Sequence, residues 1–170
     1  LLASHPTPPA FDGPERRNHW RNRAELQLWR DYLDAADYLV DDCGQRGGRD
    51  GPTPVVLLGD LNADPADGNG DAAAINALIR HPALQDPAPR SRGGAERPAA
   101  GAGDPGLHTL VHDDFALRTD YVLPDRHFEI LDAGVYWPAA GEPGHELVGD
   151  GTRVVSSDHR LVWVDLKWPP

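Results

Sequence analysis

Polar side chains that could do chemistry follow or border apolar runs at four places in the chain. They are His5, the pair Asp60 and Asn62, the segment 118–121 and the segment 156–159. In α/β folds the loops after buried strands are held by a rigid sheet while their side chains stay accessible, so active sites form there. We therefore expect these four places to meet in one pocket.

The first candidate is the pair Asp60 and Asn62, which comes soon after the apolar run 54–58. If the strand geometry continues through Leu61, both side chains point to the same side. The carboxylate can bind a hard cation or take a proton from water, and the amide can donate to a phosphoryl oxygen without adding charge. The alternative is a turn in which Asp60 and Asn62 only cap the backbone.

The second candidate is the adjacent pair Asp158 and His159, which precedes the apolar run 161–164. Asp158 suits Mg²⁺ or Mn²⁺, and His159 titrates near neutral pH and suits proton transfer. Asp120 could orient His159, because a carboxylate bonded to one imidazole nitrogen fixes the tautomer and supports the imidazolium. His5, held by a proline-rich loop, could donate to a leaving oxygen or to the phosphoryl group. A solvated surface pair is the alternative for Asp158 and His159.

The spacing of apolar residues predicts the elements that must position these side chains. Helices are predicted over residues 21–43 and over residues 71–80, the second with Asp71 as its N-cap. Residues 86–107 are rich in Pro, Gly, Ala and Arg and predict a long surface loop. Strands are predicted over residues 1–5, 54–58, 118–123, 128–136 and 161–166. This order of elements predicts an α/β fold, in which helices cover one face of a mixed β-sheet.

The composition excludes several classes of site. Cys43 is the one cysteine of the chain, which excludes an internal disulfide framework and a thiolate metal cluster. The sequence contains no His-Glu-x-x-His, no Gly-rich phosphate loop and no Gly-x-Ser-x-Gly, which argues against zinc peptidases, nucleoside triphosphatases and serine hydrolases. No apolar run is long enough to predict a membrane span. The net charge of −11 disfavours tight, sequence-neutral binding of nucleic acid, although cations could still screen such an encounter.

Four segments together resemble the second-half motifs of the endonuclease/exonuclease/phosphatase superfamily, in the same order. This superfamily includes pancreatic-type deoxyribonucleases, abasic-site endonucleases, sphingomyelinases and inositol-polyphosphate phosphatases. The segments are His5-Pro6-Thr7-Pro8-Pro9, Gly59-Asp60-Leu61-Asn62-Ala63-Asp64-Pro65, Thr119-Asp120-Tyr121-Val122-Leu123-Pro124 and Ser157-Asp158-His159-Arg160. Residues 11–18 resemble a bacterial and often secreted branch, which implies an extracellular or periplasmic location.

The resemblance implies roles for the polar residues of the site. His159 would be the general base or a phosphate-contacting imidazole, and Asp120 would be its orienting carboxylate. Asn62 would donate to the phosphate, and His5 would stabilise the transition state. The fold that the resemblance implies is a four-layer α/β sandwich.

The resemblance also implies Mg²⁺ or Mn²⁺ as the cofactor. Asp158 would be a metal-site carboxylate, and Asp60 would be either a second metal-site carboxylate or the group that activates water. Whether Asp60 or His159 activates the water stays open at this point.

The chain is expected to supply only half of that sandwich. It contains no Met and opens on residues 1–5, which look like the inside of a strand, so we expect residues 1–170 to be the C-terminal half of the domain. In the family the first half brings an Asn and the Glu that is the main Mg²⁺ ligand, and neither is found before His5. The chain alone is thus expected to be an incomplete catalyst. Its open sheet face is expected to pack on the missing N-terminal half or on a dimer partner.

The predicted activity is therefore metal-dependent hydrolysis of a phosphoester substrate, of the phosphodiesterase or nuclease type. Arginines at positions 16, 17, 21 and 23, near His5 in the sequence, favour this type and leave nucleic acid open as a substrate. A phosphomonoesterase and a phospholipid phosphodiesterase are alternatives within the enzyme class. The alternative outside it is a non-catalytic binding domain, which would keep the motifs as structure and use its open sheet face for a partner.

Overall fold

The chain folds into short strands and helices that are joined by long loops. The computed structural model describes residues 1–49, 51–98, 101–112, 115–150 and 152–168. The strands are β1 (Leu2–Ala3), β2 (Val56–Asp60), β3 (Leu110–His112), β4 (Phe115–Leu117), β5 (Asp120–Pro124), β6 (Glu129–Val135) and β7 (Val162–Lys167). The helices are α1 (Arg17–Leu33), α2 (Ala72–Ile79), α3 (Arg92–Ala95) and α4 (His145–Val148), and Pro105–Leu107 forms a 3₁₀ turn. No helix in the described ranges is long and apolar enough to cross a membrane.

The central sheet is mixed. The strand β2 lies between β1, which is parallel to it, and β5, which is antiparallel to it. In the register of the second pair, Leu57 lies opposite Leu123 and Asp60 lies opposite Asp120. The strands β3 and β4 form a further antiparallel pair, and so do β6 and β7. The predicted α/β fold with a mixed sheet is confirmed.

The helices α1 and α2 cover one face of the central sheet. Leu57 and Leu123 are fully buried in one hydrophobic cluster with Leu26 of α1 and Ile75 of α2. Because side chains alternate along a strand, Leu58 points to the opposite face, and there it is only half-buried. The core therefore lies between the sheet and the two helices, and the second face of the sheet is the more accessible one.

The first helix differs from its prediction at both ends. The sequence predicts residues 21–43, but α1 begins at Arg17. It begins early because the carboxylate of Asp12 accepts hydrogen bonds from the backbone N–H groups of Asn18 and His19, at 2.7 and 2.9 Å. These bonds satisfy donors that have no partner within the first turn of a helix.

The same helix ends ten residues before Cys43, at Leu33. The chain leaves the helix at Ala35, whose φ of 54° is left-handed. Val40 then pairs with Arg46 across a short turn. Val40 lies at helical spacing from the apolar residues of α1. For this reason periodicity alone predicts a helix that continues too far.

The helix α2 follows its prediction closely, since Asp71 Oδ1 accepts a hydrogen bond from the backbone N–H of Ala74 at 3.0 Å. The segment 86–107 differs from the predicted surface loop, because part of it is packed into the fold. Gly93 and Gly94 of α3 are buried, and a Cβ atom on Gly93 would lie 2.6 Å from the carbonyl oxygen of Pro138. Small residues, which predicted a surface loop, here allow close packing of the backbone. Residues 99 and 100 of this segment lie outside the described residues.

Candidate active site

The centre of the site is a pair of aspartates on neighbouring strands. Asp60 is the last residue of β2 and Asp120 is the first residue of β5, and the register places them opposite each other. Cross-strand partners lie on the same face of a sheet, so two half-buried carboxylates meet here. Burial raises the pKa of Asp60, and the charge of Asp120 raises it further, against the opposing hydrogen bond from Asn62 and the nearby imidazoles. The pair therefore holds negative charge that a cation can neutralise.

His159 lies beside this pair and is oriented by Asp120. Its Nδ1 donates to Asp120 Oδ2 at 2.9 Å. Because a carboxylate only accepts, Nδ1 carries a proton, and the lone pair of the neutral imidazole is on Nε2, which lies 3.9 Å from Asp60 Oδ2. The hydrogen bond with Asp120 raises the pKa of His159 although partial burial opposes this. Asp120 and His159 thus lie within the hydrogen-bond reach that the sequence predicts, while their catalytic roles stay predictions.

Two threonines that the sequence analysis missed hold Asp120 in place. Thr109 Oγ1 donates to Asp120 Oδ2 at 2.7 Å and accepts from the backbone N–H of Asp120 at 3.0 Å. Thr119 Oγ1 donates to the same carboxylate oxygen at 3.1 Å. Both threonines are buried. The carboxylate of Asp120 is therefore fixed in the orientation that faces His159.

His5 and Asn62 approach Asp60 from the loops after β1 and β2. His5 Nε2 lies 3.5 Å from Asp60 Oδ2, and its side chain is 74% exposed. Asn62 lies in a turn and not in a continued strand, because its φ of 50° is left-handed and its backbone N–H donates to Asp60 Oδ1 at 2.8 Å. Its side-chain amide donates to the carbonyl oxygen of Pro6 at 3.0 Å. The turn that the sequence allows as an alternative is thus present, and it leaves Asp60 Oδ2 facing the site.

The helix α1 holds the loop that carries His5. Asn22 is fully buried, and its Nδ2 donates to the carbonyl oxygens of Thr7 and Leu61, both at 3.1 Å. Glu25 accepts from the backbone N–H of Thr7 at 2.6 Å and from its hydroxyl at 3.2 Å. The loops after β1 and β2 are therefore joined through one turn of helix. The sequence signal that could have found Asn22 is its position four residues before Leu26, on the buried face.

Asp158 lies beside His159, and its negative charge contributes to the raised pKa of that imidazole. The segment that carries both residues is held by Arg160, which is buried and donates to the carbonyl oxygen of Ser157 at 2.6 Å. The guanidinium of Arg160 also lies 4.7 Å from the ring centre of Trp137. Asp158 therefore stands at the edge of the site, where its role as a metal ligand stays a prediction.

Three side chains come close enough together to share one cation. Ligand atoms of Asp60, Asp120 and His159 all lie within 4.8 Å of one another. In the described part of the chain no other group of His, Cys, Asp or Glu meets this condition, and Asp158 is not a member of it. Carboxylate oxygens are the preferred ligands of Mg²⁺ and Mn²⁺, and imidazole binds several divalent metals. The cluster thus fits a divalent cation.

The hydrogen bond between Asp120 and His159 predicts a pH effect. Because the pKa of His159 in the folded protein is raised above its ordinary value of 6.5, the pair's contribution to stability is complete below that pH and is lost as the pH rises through the raised pKa. We expect Asp120→Asn to lower the pKa of His159 and to remove this pH dependence. Titration of the His159 ring by NMR measures the first effect and denaturant unfolding the second. Asp132→Asn, on the exposed part of β6, is the control and should change neither. An unchanged pKa of His159 in Asp120→Asn would contradict the assignment.

Comparisons with known proteins concern the family and the fold of the chain. A family model described as the Endonuclease/Exonuclease/phosphatase family matches residues 2–159. A search of curated proteins gives no match. Among solved structures, the chain is similar to an endonuclease/exonuclease/phosphatase from Beutenbergia cavernae DSM 12333, with a TM-score of 0.51 and 20% sequence identity. The alignment covers 89% of this chain and 32% of that one, so this chain spans about a third of the length of the structure it matches. At this identity the likeness concerns the fold alone.

Proposed function

The chain belongs to the endonuclease/exonuclease/phosphatase family, and on that premise we propose that it carries the catalytic centre of a metal-dependent phosphodiesterase. Water would attack phosphorus in line with the leaving oxygen. The observation that supports this most is the cluster of Asp60, Asp120 and His159, in which one imidazole and two carboxylates meet at one end of two paired strands.

We propose His159 as the group that takes the proton from water. Its Nδ1 proton is bonded to Asp120, so the neutral ring keeps its lone pair on Nε2, at the side that faces Asp60. When Nε2 accepts a proton, the ring becomes an imidazolium next to the Asp120 carboxylate, which stabilises that charge. Among the described residues, none supports a proton on Asp60 as Asp120 supports the proton on His159. The site therefore favours His159 as the base and leaves Asp60 for the cation.

Asp60 is proposed as a cation ligand. Its Oδ1 accepts from the backbone N–H of Asn62, which fixes the carboxylate, while Oδ2 faces the imidazoles of His5 and His159. The family resemblance adds Asp158 as a second candidate ligand. When bound there, Mg²⁺ or Mn²⁺ would neutralise charge that develops on the phosphoryl oxygens and the leaving group.

His5 and Asn62 are proposed to contact the phosphoryl group. The exposed ring of His5 can donate to a phosphoryl or leaving oxygen, and its loop is held through Pro6 and Thr7. The Nδ2 of Asn62 carries two protons, of which one is used by Pro6. The other can reach a substrate oxygen.

We further propose that the cation site is completed by an acidic ligand from outside residues 1–170, supplied by the N-terminal half of the domain that the resemblance implies. The cluster offers a cation few free carboxylate oxygens, because Asp120 Oδ2 already accepts from Thr109, Thr119 and His159. The more accessible face of the central sheet, which contains Leu58, is the surface that this half or a dimer partner would cover.

A comparison of two forms of the protein tests this proposal. We expect residues 1–170 to bind Mg²⁺ weakly and to hydrolyse bis(p-nitrophenyl) phosphate no faster than buffer, because Mg²⁺ gives up its water reluctantly even in complete sites. The same chain, extended upstream by the adjoining half-domain, should bind Mg²⁺ more tightly and hydrolyse this diester in a Mg²⁺-dependent reaction. Calorimetry measures the binding and release of p-nitrophenolate measures the rate.

Two outcomes would contradict parts of the proposal. Rapid Mg²⁺-dependent hydrolysis by residues 1–170 alone would show that the ligand set is complete within this chain. Absence of hydrolysis by the extended form, with well-folded protein and several phosphoesters, would favour the non-catalytic binding domain.

A further inference from the structure

A cavity of about 580 Å³ opens beside the candidate active site. Its polar lining residues include Asn62, Asp158 and His159. Its volume lies within the range of roughly 300 to 1,000 Å³ that small-molecule sites occupy. A phosphoryl group bound beside His159 would therefore have room for one of its ester groups in the cavity.

The walls of this cavity are mainly apolar. One wall is the hairpin of β3 and β4, which contributes Leu110, Phe115 and Leu117. The proline loop after His5 also lines the cavity, with Pro8 and Pro9. The exposed ring of Phe115, at 44%, offers apolar surface that a ligand would cover. An apolar group that enters the cavity gains free energy in proportion to the area removed from water.

The charges around the cavity disfavour a polyanion. None of the described residues that line it is Lys or Arg. Three aspartates line it, together with the imidazoles of two histidines: Asp64, Asp67, Asp158, His112 and His159. Hydrogen bonds from the backbone N–H groups of Ala102 and Gly103 lower the pKa of Asp67, which keeps it ionised. Nucleic-acid sites bind successive phosphates through Lys and Arg. A strand laid through this cavity would bring its flanking phosphates against carboxylates.

The arginines that are near His5 in the sequence do not line the cavity. Arg16, the residue before α1, lines an adjoining pocket that shares Phe11 with the cavity. The guanidinium groups of Arg16 and Arg23 lie 5.8 and 5.5 Å from the ring centre of Trp20. Arg23 Nε also lies 3.4 Å from Asp71 Oδ2. Their nearness to His5 in the sequence thus does not place them in this cavity.

Building on the proposed function, we propose that this cavity is the subsite for a compact, uncharged and apolar ester group of the substrate, such as an aryl ring. The substrate would then be a phosphodiester of an apolar alcohol or phenol rather than a nucleic-acid strand. Leu117 and Phe115 would determine this selectivity.

Binding of two small diesters to residues 1–170 in Mg²⁺, followed by amide NMR, tests the proposal without requiring turnover. Diphenyl phosphate and dimethyl phosphate carry the same charge and differ in apolar area. We expect diphenyl phosphate to bind at least about tenfold more tightly, since a buried phenyl ring adds more than the ~1.4 kcal/mol that a factor of ten requires. Its largest shifts should fall on Leu110 and Leu117. Thymidylyl-thymidine should bind no more tightly than dimethyl phosphate.

Variants of the cavity provide the control. Phe115→Ala and Leu117→Ser should each reduce the preference for diphenyl phosphate, whereas Leu131→Ser, at an exposed position of β6 outside the cavity, should not. Equal affinity for the two diesters, the same preference in both cavity variants, or tighter binding of thymidylyl-thymidine would overturn the inference. If the extended protein hydrolyses phosphoesters without this preference, the subsite is wrong and the proposed function stands. If the preference is found but no form hydrolyses a phosphoester, the subsite stands and the proposed function is wrong.

Discussion

Replacing His159 with alanine should lower the Mg²⁺-dependent turnover of the active, extended protein by roughly 10² to 10⁴-fold, the contribution typical of a positioned acid–base group. This corresponds to roughly 3 to 5 kcal/mol of activation free energy. The loss is expected because Nε2 of His159 is the nitrogen that keeps a lone pair while Nδ1 is bonded to Asp120. Steady-state kinetics with bis(p-nitrophenyl) phosphate measures the effect.

The matched control for this variant is His145→Ala. His145 lies on α4, where its Nδ1 contacts the carbonyl oxygen of Pro138 at 3.1 Å, and it belongs to neither the cluster nor the cavity lining. Its replacement should leave turnover within about twofold, as is usual for a group outside the chemistry. Near-wild-type turnover in His159→Ala would remove His159 from the mechanism.

The second large effect is expected for Asp120→Asn. The amide retains the shape of the side chain, but it no longer supplies a negative charge to the imidazolium and can present an N–H to Nδ1, which would favour the wrong tautomer. We expect turnover to fall by roughly 10² to 10⁴-fold with a much smaller change in KM, because the lost interaction develops mainly in the transition state.

Thr109→Val separates orientation from charge at the same position. It removes the hydroxyl that donates to Asp120 Oδ2 and accepts from its backbone N–H, while the charge stays. We expect a smaller loss of turnover than in Asp120→Asn. Equal turnover of Asp120→Asn and the wild-type protein would show that His159 needs no carboxylate partner.

The parts of the fold that the sequence predicts correctly depend on local signals. Asp71 caps α2 because its side chain reaches the backbone N–H of Ala74, three residues away. The two strands that carry Asp60 and Asp120 are predicted from short apolar runs, with bounds of 54–58 and 118–123 that differ by one or two residues from those of β2 and β5. The expectation that these two residues meet in one site comes from the position of polar residues after strands in α/β folds and from the family resemblance.

The parts that the sequence does not predict depend on contacts between distant residues. Thr109 reaches Asp120 only because the chain before β3 returns to the start of β5, and the sequence shows no motif around it. In the sequence, Asn22 is only one polar position on a predicted helix. In the structure it is buried and donates to the loop after β2. The end of α1 was also missed, because the left-handed turn at Ala35 is formed by a residue that does not favour it.

Binding of Mn²⁺ to residues 1–170 tests most directly whether Asp60 belongs to a cation centre beside Asp120 and His159. Mn²⁺ broadens the NMR signals of nearby nuclei, so at low occupancy the ring signals of His159 and His5 should broaden first. Those of His127, which follows the far end of β5, on the order of 15 Å away at ~3.3 Å per residue, should stay sharp. Asp60→Asn should abolish the selective broadening. Equal broadening of all histidine rings, or the same selective broadening in Asp60→Asn, would contradict the cation centre from which the proposed function proceeds.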